Sequence, residues 1–376
     1  PTDPKHHHMT QNTSTGPIAV VLGTRPEIIK LARIVELLGE DAHVVHTGQH
    51  FDANLSDTFF TEFAMRPPDT FIGVGGQTRG QQIGKATSEL DGLFAEIEPS
   101  AVVVQGDTNS VAAGAIAANS NSIPLVHVEA GLRSFDRAMP EEHNRVIADH
   151  LSDLCLAPTD LNVSNLAAEG ISGDRVVKTG NPVIEAVGRL LPDAATRAAV
   201  ARGYGLDPDA FVLATFHRPE NVDNQENLSE ILTALRQLDA DILLPLHPRT
   251  RARIEQFSLE HLTEGLRIVE PIGYRDFIGL AAGSRLILSD SGGVQEEVTV
   301  YRRPSVVIRQ STERQEVEGT FVRRVQPSPT LASELTDLYA SVDTWTESLQ
   351  ELENPYGDAT APERSTDAIR SLVANG

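Results

Sequence analysis

Ile18-Ala19-Val20-Val21-Leu22-Gly23-Thr24-Arg25-Pro26-Glu27 is the stretch that decides the fold. Five apolar residues without polar alternation read as a strand buried on both faces, and a glycine turn follows. Ile28, Ile29, Leu31, Ala32, Val35 and Leu38 then recur at helical spacing. Pro26 suits the first helical turn, where its missing N–H costs nothing. Outward from this unit, residues 44–45, 101–104 and 125–128 supply further strands, with a small-residue helix over 111–118. Alternating strands and helices imply a parallel sheet covered on both faces.

The pattern restarts in the second half: strands over 211–215, 242–246, 286–288 and 306–308, with a helix over 228–238. Gly180-Asn181-Pro182 and the alanine-rich stretch 192–205 punctuate the middle, so the boundary falls between about residues 180 and 205. We divide the chain into an N-terminal Rossmann-like domain (16–185) and a C-terminal, nucleotide-binding one (186–358). Residues 359–376, helical over 365–374, are expected to pack back on the first domain. Residues 1–8, with His6-His7-His8 in a row, read as an appended tag ahead of Met9, and the polar tail runs to Thr15.

A chain of 376 residues fits two α/β domains sharing a cleft. No run approaches the roughly 18 apolar residues of a membrane span, and no signal-peptide core is seen. The lone cysteine, Cys155 between Leu154 and Leu156, reads as a buried strand residue and excludes a disulfide framework. A cytoplasmic enzyme is expected. The net charge is −22, and 27 of the 31 basic residues are arginine. Such an acidic surface disfavours nucleic acid, which needs a concentrated positive face. It suits solubility in concentrated salt, hence the expectation of a halophilic source.

Polar clusters follow the strands: Thr24-Arg25, Gln49-His50, Asp107-Thr108, Glu129, His217-Arg218 and Ser291-Gly292-Gly293. Ligands of open parallel sheets bind beyond those carboxyl ends. In Ser289-Asp290-Ser291-Gly292-Gly293-Val294-Gln295-Glu296-Glu297, a strand meets two glycines and then a helix. Glycines admit close backbone approach and the helix N-terminus favours an anion, which together suit a diphosphate. Glu297, rather than Glu296, is placed to accept from ribose hydroxyls. Arg25, Lys30 and Arg314 are cations for an anionic substrate, although Lys30 reads equally well as a solvated helix residue.

Asp107, Glu129, Glu141 and His217 are the acid–base candidates. A carboxylate directly after a buried strand is seldom mere surface charge, with helix capping the alternative for Asp107. Carboxylates gathered in one cleft can have their affinities for protons pushed apart. His217 either serves a leaving phosphate or is structural. His43, His46 and His50 lie close in sequence but lack zinc-like spacing and cysteine support, so no metal is expected.

Together these segments resemble the non-hydrolysing UDP-N-acetylglucosamine 2-epimerases, especially the archaeal branch. The resemblance rests on Gly23-Thr24-Arg25-Pro26-Glu27, Thr47-Gly48-Gln49-His50, Gln105-Gly106-Asp107-Thr108, His127-Val128-Glu129-Ala130-Gly131-Leu132-Arg133-Ser134 and Pro140-Glu141-Glu142-His143-Asn144-Arg145. It continues through Thr179-Gly180-Asn181, His217-Arg218, residues 289–297, Thr312-Glu313-Arg314 and Asn354-Pro355-Tyr356-Gly357-Asp358. It implies two Rossmann-like domains facing each other across a cleft, as in GT-B glycosyltransferases, and a homodimer. It further implies epimerisation at C2 of UDP-N-acetylglucosamine by elimination and re-addition of UDP, without metal or redox cofactor.

On that resemblance Asp107, Glu129 and Glu141 form the acid–base group and His217 attends the leaving phosphate. Arg25, Lys30, Ser291, Gly292, Gly293, Glu297 and Arg314 bind UDP. Phe277, which composition alone would make a core residue, packs on uracil. Asp52 and Gly76 stand where bacterial members hold a second, activating substrate with glutamine and arginine, which argues against such activation. Gln315 replaces a usual proline. The rival readings are a hydrolysing 2-epimerase, a 2-epimerase for UDP-diacetamido-glucuronic acid, a GT-B glycosyltransferase, and a non-catalytic nucleotide-sugar-binding protein.

Overall fold

The computed structural model describes residues 16–49 and 60–375. The tag and tail, His50 and Asp52 lie outside the described residues. The chain divides into two compact units. The first comprises residues up to Gly131, Arg137–Pro182 and Thr360 onward; the second comprises Leu132–Asp136 and Val183–Ala359.

The first unit is built on a parallel sheet of β1 (Ile18–Leu22), β2 (Ala42–His46), β3 (Thr70–Phe71), β4 (Ala101–Gln105), β5 (Leu125–Val128), β6 (Leu154–Ala157) and β7 (Val176–Lys178). Their order across the sheet is β3-β2-β1-β4-β5-β6-β7. Every residue of β1, β4 and β5 is buried, as expected for central strands covered on both faces. The opening motif forms as its sequence indicates: a strand, a turn, and the helix Arg25–Leu38 with proline in its first turn.

The helix Asn109–Ser120 owes its small residues to close packing on the sheet. A Cβ on Gly114 would stand 2.8 Å from Val104 Cγ1, so alanine there would push the helix off β4. Val102, Val104, Val111, Leu90 and Phe94 meet in the same apolar core. Cys155 is buried in β6.

The C-terminal helix Ala361–Asn375 belongs to this first unit. Arg33 pairs with Glu363 at 3.2 Å, Arg370 donates to the Leu37 carbonyl at 2.9 Å, and Arg364 Nε donates to the Thr179 carbonyl at 2.7 Å.

The second unit repeats the plan with β8 (Val212–Thr215), β9 (Ile242–Pro245), β10 (Arg267–Val269), β11 (Leu286–Ser289), β12 (Ser305–Ile308) and β13 (Val322–Val325). All pair in parallel, in the order β10-β9-β8-β11-β12-β13. Residues 132–136, fifty residues upstream in the chain, are held within it. Ser311 Oγ donates to Asp136 Oδ2 at 3.0 Å and Gln315 Nε2 to the Arg133 carbonyl at 3.3 Å.

Both units are therefore doubly wound, Rossmann-like sheets. The strand order reverses beside β1 and β4 in one and beside β8 and β11 in the other. Those reversals are the crevices in which such sheets take ligands. Among the described residues, no helix is long and apolar enough to cross a membrane.

Candidate active-site residues

In the first unit the candidates cluster beyond β1, β4 and β5. Gly23 turns the chain so tightly that a Cβ would stand 2.1 Å from both Ser110 Oγ and Thr47 Oγ1, so only glycine fits. Glu27 lies three residues beyond Thr24, the spacing of a capping box, but it works differently here. Its Oε2 accepts the Gly23 N–H at 3.0 Å and the Thr24 hydroxyl at 2.8 Å, and its Oε1 accepts the Thr108 hydroxyl at 2.9 Å. Glu27 thereby ties the turn after β1 to the turn after β4. Burial pushes its carboxyl up to about 7, against the pull of these hydrogen bonds from Thr24, Gly23 and Thr108.

Lys30 is a buried residue, and the solvated reading fails. Its ammonium pairs with Glu129 Oε2, to which Gln105 Nε2 also donates at 2.8 Å. Glu129 itself holds a left-handed backbone with φ of 70°, a strained state for a residue with a Cβ. Asp107 does not cap the following helix; Thr108 does, accepting from Val111 N. The Asp107 carboxylate is instead gripped by Arg145, with Nε at 3.0 Å and Nη2 at 2.6 Å from Oδ2. Arg145 Nη1 also meets Glu142 Oε2 at 2.5 Å.

Glu141 lies in the first turn of the helix Pro140–Leu151, half-buried. Arg145 stands one turn further along that helix and engages Glu142 and Asp107 rather than Glu141. Arg25 opens the helix Arg25–Leu38, also half-buried. The two turns after β4 and β5 thus present two carboxylates, each matched to its own buried cation.

In the second unit the candidates flank β8 and β11. Asp290 is fully buried and accepts the backbone N–H of His217 at 3.1 Å, that of Arg218 at 2.9 Å and Asn221 Nδ2 at 3.2 Å. Burial opposes its ionisation, but hydrogen bonding and charge at His217, with the Arg218 and Asn221 donors, hold it below the ordinary carboxylate range. His217 Nδ1 lies 3.2 Å from Asp290 Oδ1. The carboxylate makes Nδ1 a donor and fixes the ring, while the side chain stays 41% exposed.

Ser291 occupies the N-cap of the helix Gly292–Tyr301 without its hydroxyl capping the helix. The two glycines differ. A Cβ on Gly292 would stand 2.9 Å from both Arg314 Nη1 and Glu313 Oε1, whereas one on Gly293 meets nothing closer than 3.8 Å. An alanine at Gly292 would have to displace the buried ends of Arg314 and Glu313, whereas one at Gly293 would displace nothing. Arg314 belongs to a buried chain of alternating charge: Nε donates to Glu296 Oε1 at 2.9 Å, Nη1 to Glu313, and Glu313 accepts Arg309 Nη2 at 2.9 Å. Glu297 is buried and accepts the Tyr274 hydroxyl at 2.8 Å. Phe277 shares the helix Tyr274–Ala282 and is only half-buried, so it is not a core residue.

Sequence reasoning assigns no role to Glu27, Gln105, Arg145 or Asp290, although all lie inside the quoted motifs. Only Glu27 carried a local signal, its spacing from Thr24. The other three act through partners 24, 38 and 73 residues away.

The profile of the UDP-N-acetylglucosamine 2-epimerase family matches residues 37–370. The UDP-N-acetylglucosamine 2-epimerase of Methanocaldococcus jannaschii is 38% identical over 92% of this chain and 97% of its own length. A UDP-2,3-diacetamido-2,3-dideoxy-D-glucuronate 2-epimerase of Pseudomonas aeruginosa is 39% identical, over 79% of this chain and 84% of its own. Among solved structures, the M. jannaschii UDP-GlcNAc 2-epimerase in complex with UDP-GlcNAc and UDP superposes with a TM-score of 0.84. It is 37% identical and the match covers 96% of this chain and all of that one. The Neisseria meningitidis UDP-GlcNAc 2-epimerase bound to UDP-GlcNAc gives a TM-score of 0.85 at 29% identity, over 94% of this chain and all of that one.

Proposed function

This chain belongs to the UDP-N-acetylglucosamine 2-epimerase family, and from that premise we propose that it interconverts UDP-N-acetylglucosamine and UDP-N-acetylmannosamine by eliminating and re-adding UDP. The observation that carries the reading is the pair of turns after β4 and β5, where Asp107 and Glu129 are each matched to a cation and Glu141 lies in the nearby helix. Inversion at C2 needs one group to take a proton and another to return one to the opposite face. Several carboxylates with different partners supply that.

In the forward step a base removes the C2 proton. The C2–H electrons form the C1=C2 bond, and the C1–O bond breaks with its electron pair passing to UDP. A 2-acetamidoglucal remains. UDP then re-adds at C1 as a proton arrives at the other face of C2. The reaction is redox-neutral, so no hydride acceptor takes part.

Asp107, Glu129 and Glu141 are assigned to proton transfer, and His217, oriented by Asp290, to the departing phosphate oxygen. The N–H groups at the start of the helix Gly292–Tyr301, with Ser291, Arg25 and Lys30, are assigned to the diphosphate. Glu297 takes the ribose hydroxyls and Phe277 the uracil face. Arg314 supports the diphosphate site from beneath Gly292.

The likeness to the P. aeruginosa enzyme supports a second substrate reading with the same chemistry on a 2,3-diacetamido uronic acid. The test is incubation with UDP-N-acetylglucosamine in heavy water, followed by NMR. Deuterium at C2 together with UDP-N-acetylmannosamine supports the proposal. Free N-acetylmannosamine plus UDP indicates a hydrolysing enzyme, and turnover of only the diacetamido uronate shifts the substrate.

A further inference from the structure

His127 sits within β5, fully buried, and Asp149, also fully buried, faces it from the helix Pro140–Leu151. The ring Nδ1 is 2.6 Å from Asp149 Oδ1, and Nε2 is 2.7 Å from the Gly106 carbonyl oxygen. A carbonyl only accepts, so Nε2 carries a proton. A contact of 2.6 Å between Nδ1 and a carboxyl oxygen needs a second proton between them. The other oxygen of Asp149 accepts the Gly131 N–H at 3.1 Å.

The pair therefore holds two turns at once: Gly106-Asp107 after β4 and Glu129-Ala130-Gly131 after β5. Both turns run through left-handed backbone, with φ of 78° at Gly106, 70° at Glu129 and 84° at Gly131. At Glu129 that conformation costs about 1–2 kcal/mol, so it persists only where neighbours impose it. The N–H groups of Glu129 and Ala130 both converge on the Leu156 carbonyl, at 3.1 and 3.0 Å. A histidine–aspartate pair that merely fills the core has no reason to bond, through the histidine and the aspartate respectively, the two turns bearing the acid–base carboxylates.

We propose that His127 and Asp149 are positioning residues for the reaction, a buried brace that aims Asp107 and Glu129 through the backbone of their turns. The inference rests on the assignment of proton transfer to those two carboxylates. Misplacing a reacting group by about 1 Å costs on the order of 10²-fold in rate, and that is the loss expected on releasing either turn.

Three variants separate the contacts. His127→Gln places an amide near the Nε2 position and keeps the Gly106 contact; His127→Asn places one near Nδ1 and keeps the Asp149 contact. Asp149→Ala removes both acceptor oxygens and so the contacts to His127 and to the Gly131 N–H. Each should lower kcat for C2 exchange in heavy water by about 10²-fold, with KM and the affinity for UDP unchanged. In the unaltered enzyme the Nδ1–Oδ1 proton should give a far-downfield resonance that is absent from His127→Gln.

Unchanged kcat in all three variants overturns the inference. So does a parallel fall of kcat and UDP affinity, which would make the pair a general structural element, and so does absence of the resonance. Asp107→Asn and Glu129→Gln are measured alongside. If those two retain exchange, the carboxylate assignment itself fails; if they abolish it while the brace variants do not, only the brace fails.

Discussion

Lys30, from the second turn of its helix, donates to the carboxylate of Glu129, 99 residues later in the chain, and both side chains are buried. The pair joins the end of β1 to the end of β5 across β4, whose last residue, Gln105, binds the same carboxylate oxygen. Three strand ends are thereby locked by one polar cluster. A buried charge is tolerated only when it is matched, so neither partner can be lost alone.

Lys30→Met should therefore be more damaging than an ordinary helix substitution. Leaving Glu129 buried and unmatched is expected to cost about 3–5 kcal/mol, read as a lower urea midpoint with an unchanged slope. Glu129→Gln in the same background should recover part of that loss. If Lys30→Met unfolds at the same urea concentration as the unaltered protein, the ion pair contributes nothing and Lys30 is held for another reason.

Glu27 predicts a pH dependence of definite sign. Its carboxyl is raised from 4.5 to about 7 in the folded state, chiefly by burial. The folded chain holds this proton more tightly than the unfolded one. The associated stability is thus full below pH 4.5 and is lost as pH rises through about 7. A shift of this size corresponds to about 3 kcal/mol. Glu27→Gln cannot ionise, so the stability of the unaltered protein relative to this variant should fall by up to that amount between about pH 4.5 and pH 8. Parallel stability curves across this window would show that Glu27 is ionised in the fold.

The strands and helices were legible because burial writes itself into local pattern. The runs at residues 18–22 and 125–128 match β1 and β5, and the 3.6-residue spacing after Arg25 matches the first helix. The restarted pattern in the second half appears as a second sheet of the same winding order. The candidate site was legible only in part. Strand-end position pointed to Asp107, Glu129 and His217, but their partners Arg145, Lys30 and Asp290 come from distant segments, and no spacing rule links them. Asp107 was ambiguous because a residue just before a helix is also a capping position, and its neighbour Thr108 took that role. Residues 132–136 belong to the second unit although only the turn Glu129-Ala130-Gly131 separates them from β5, an assignment that no local pattern marks.

The charge balance predicts a response to salt. With a net charge of −22 and only four lysines, repulsion among surface carboxylates opposes the compact state. Screening shortens from roughly 10 Å at 0.1 M salt to about 3 Å at 1 M. The thermal midpoint should accordingly climb as potassium chloride is raised over this range, with activity retained at the upper end. A midpoint that stays level or falls would sink the reading of a salt-adapted surface.

Gly292 and Gly293 stand side by side at one helix start, yet their alanine variants should fail in different ways. At Gly292 an added Cβ meets Arg314 Nη1 and Glu313 Oε1 at 2.9 Å, so the buried pair must shift. Gly292→Ala is expected to cost about 1–3 kcal/mol of stability. At Gly293 the nearest atoms, Glu297 Oε1 and Ser291 Oγ, lie at 3.8 Å, an ordinary contact. Gly293→Ala should fold at least as well as the unaltered chain, since alanine is the better helix residue. If the diphosphate rests on this backbone, the added methyl occupies its place, and UDP affinity by calorimetry should drop by tenfold or more, equivalent to about 1.4 kcal/mol. Unchanged UDP affinity in a stable Gly293→Ala protein would move the diphosphate away from this helix start, and with it the roles assigned to Ser291 and Glu297.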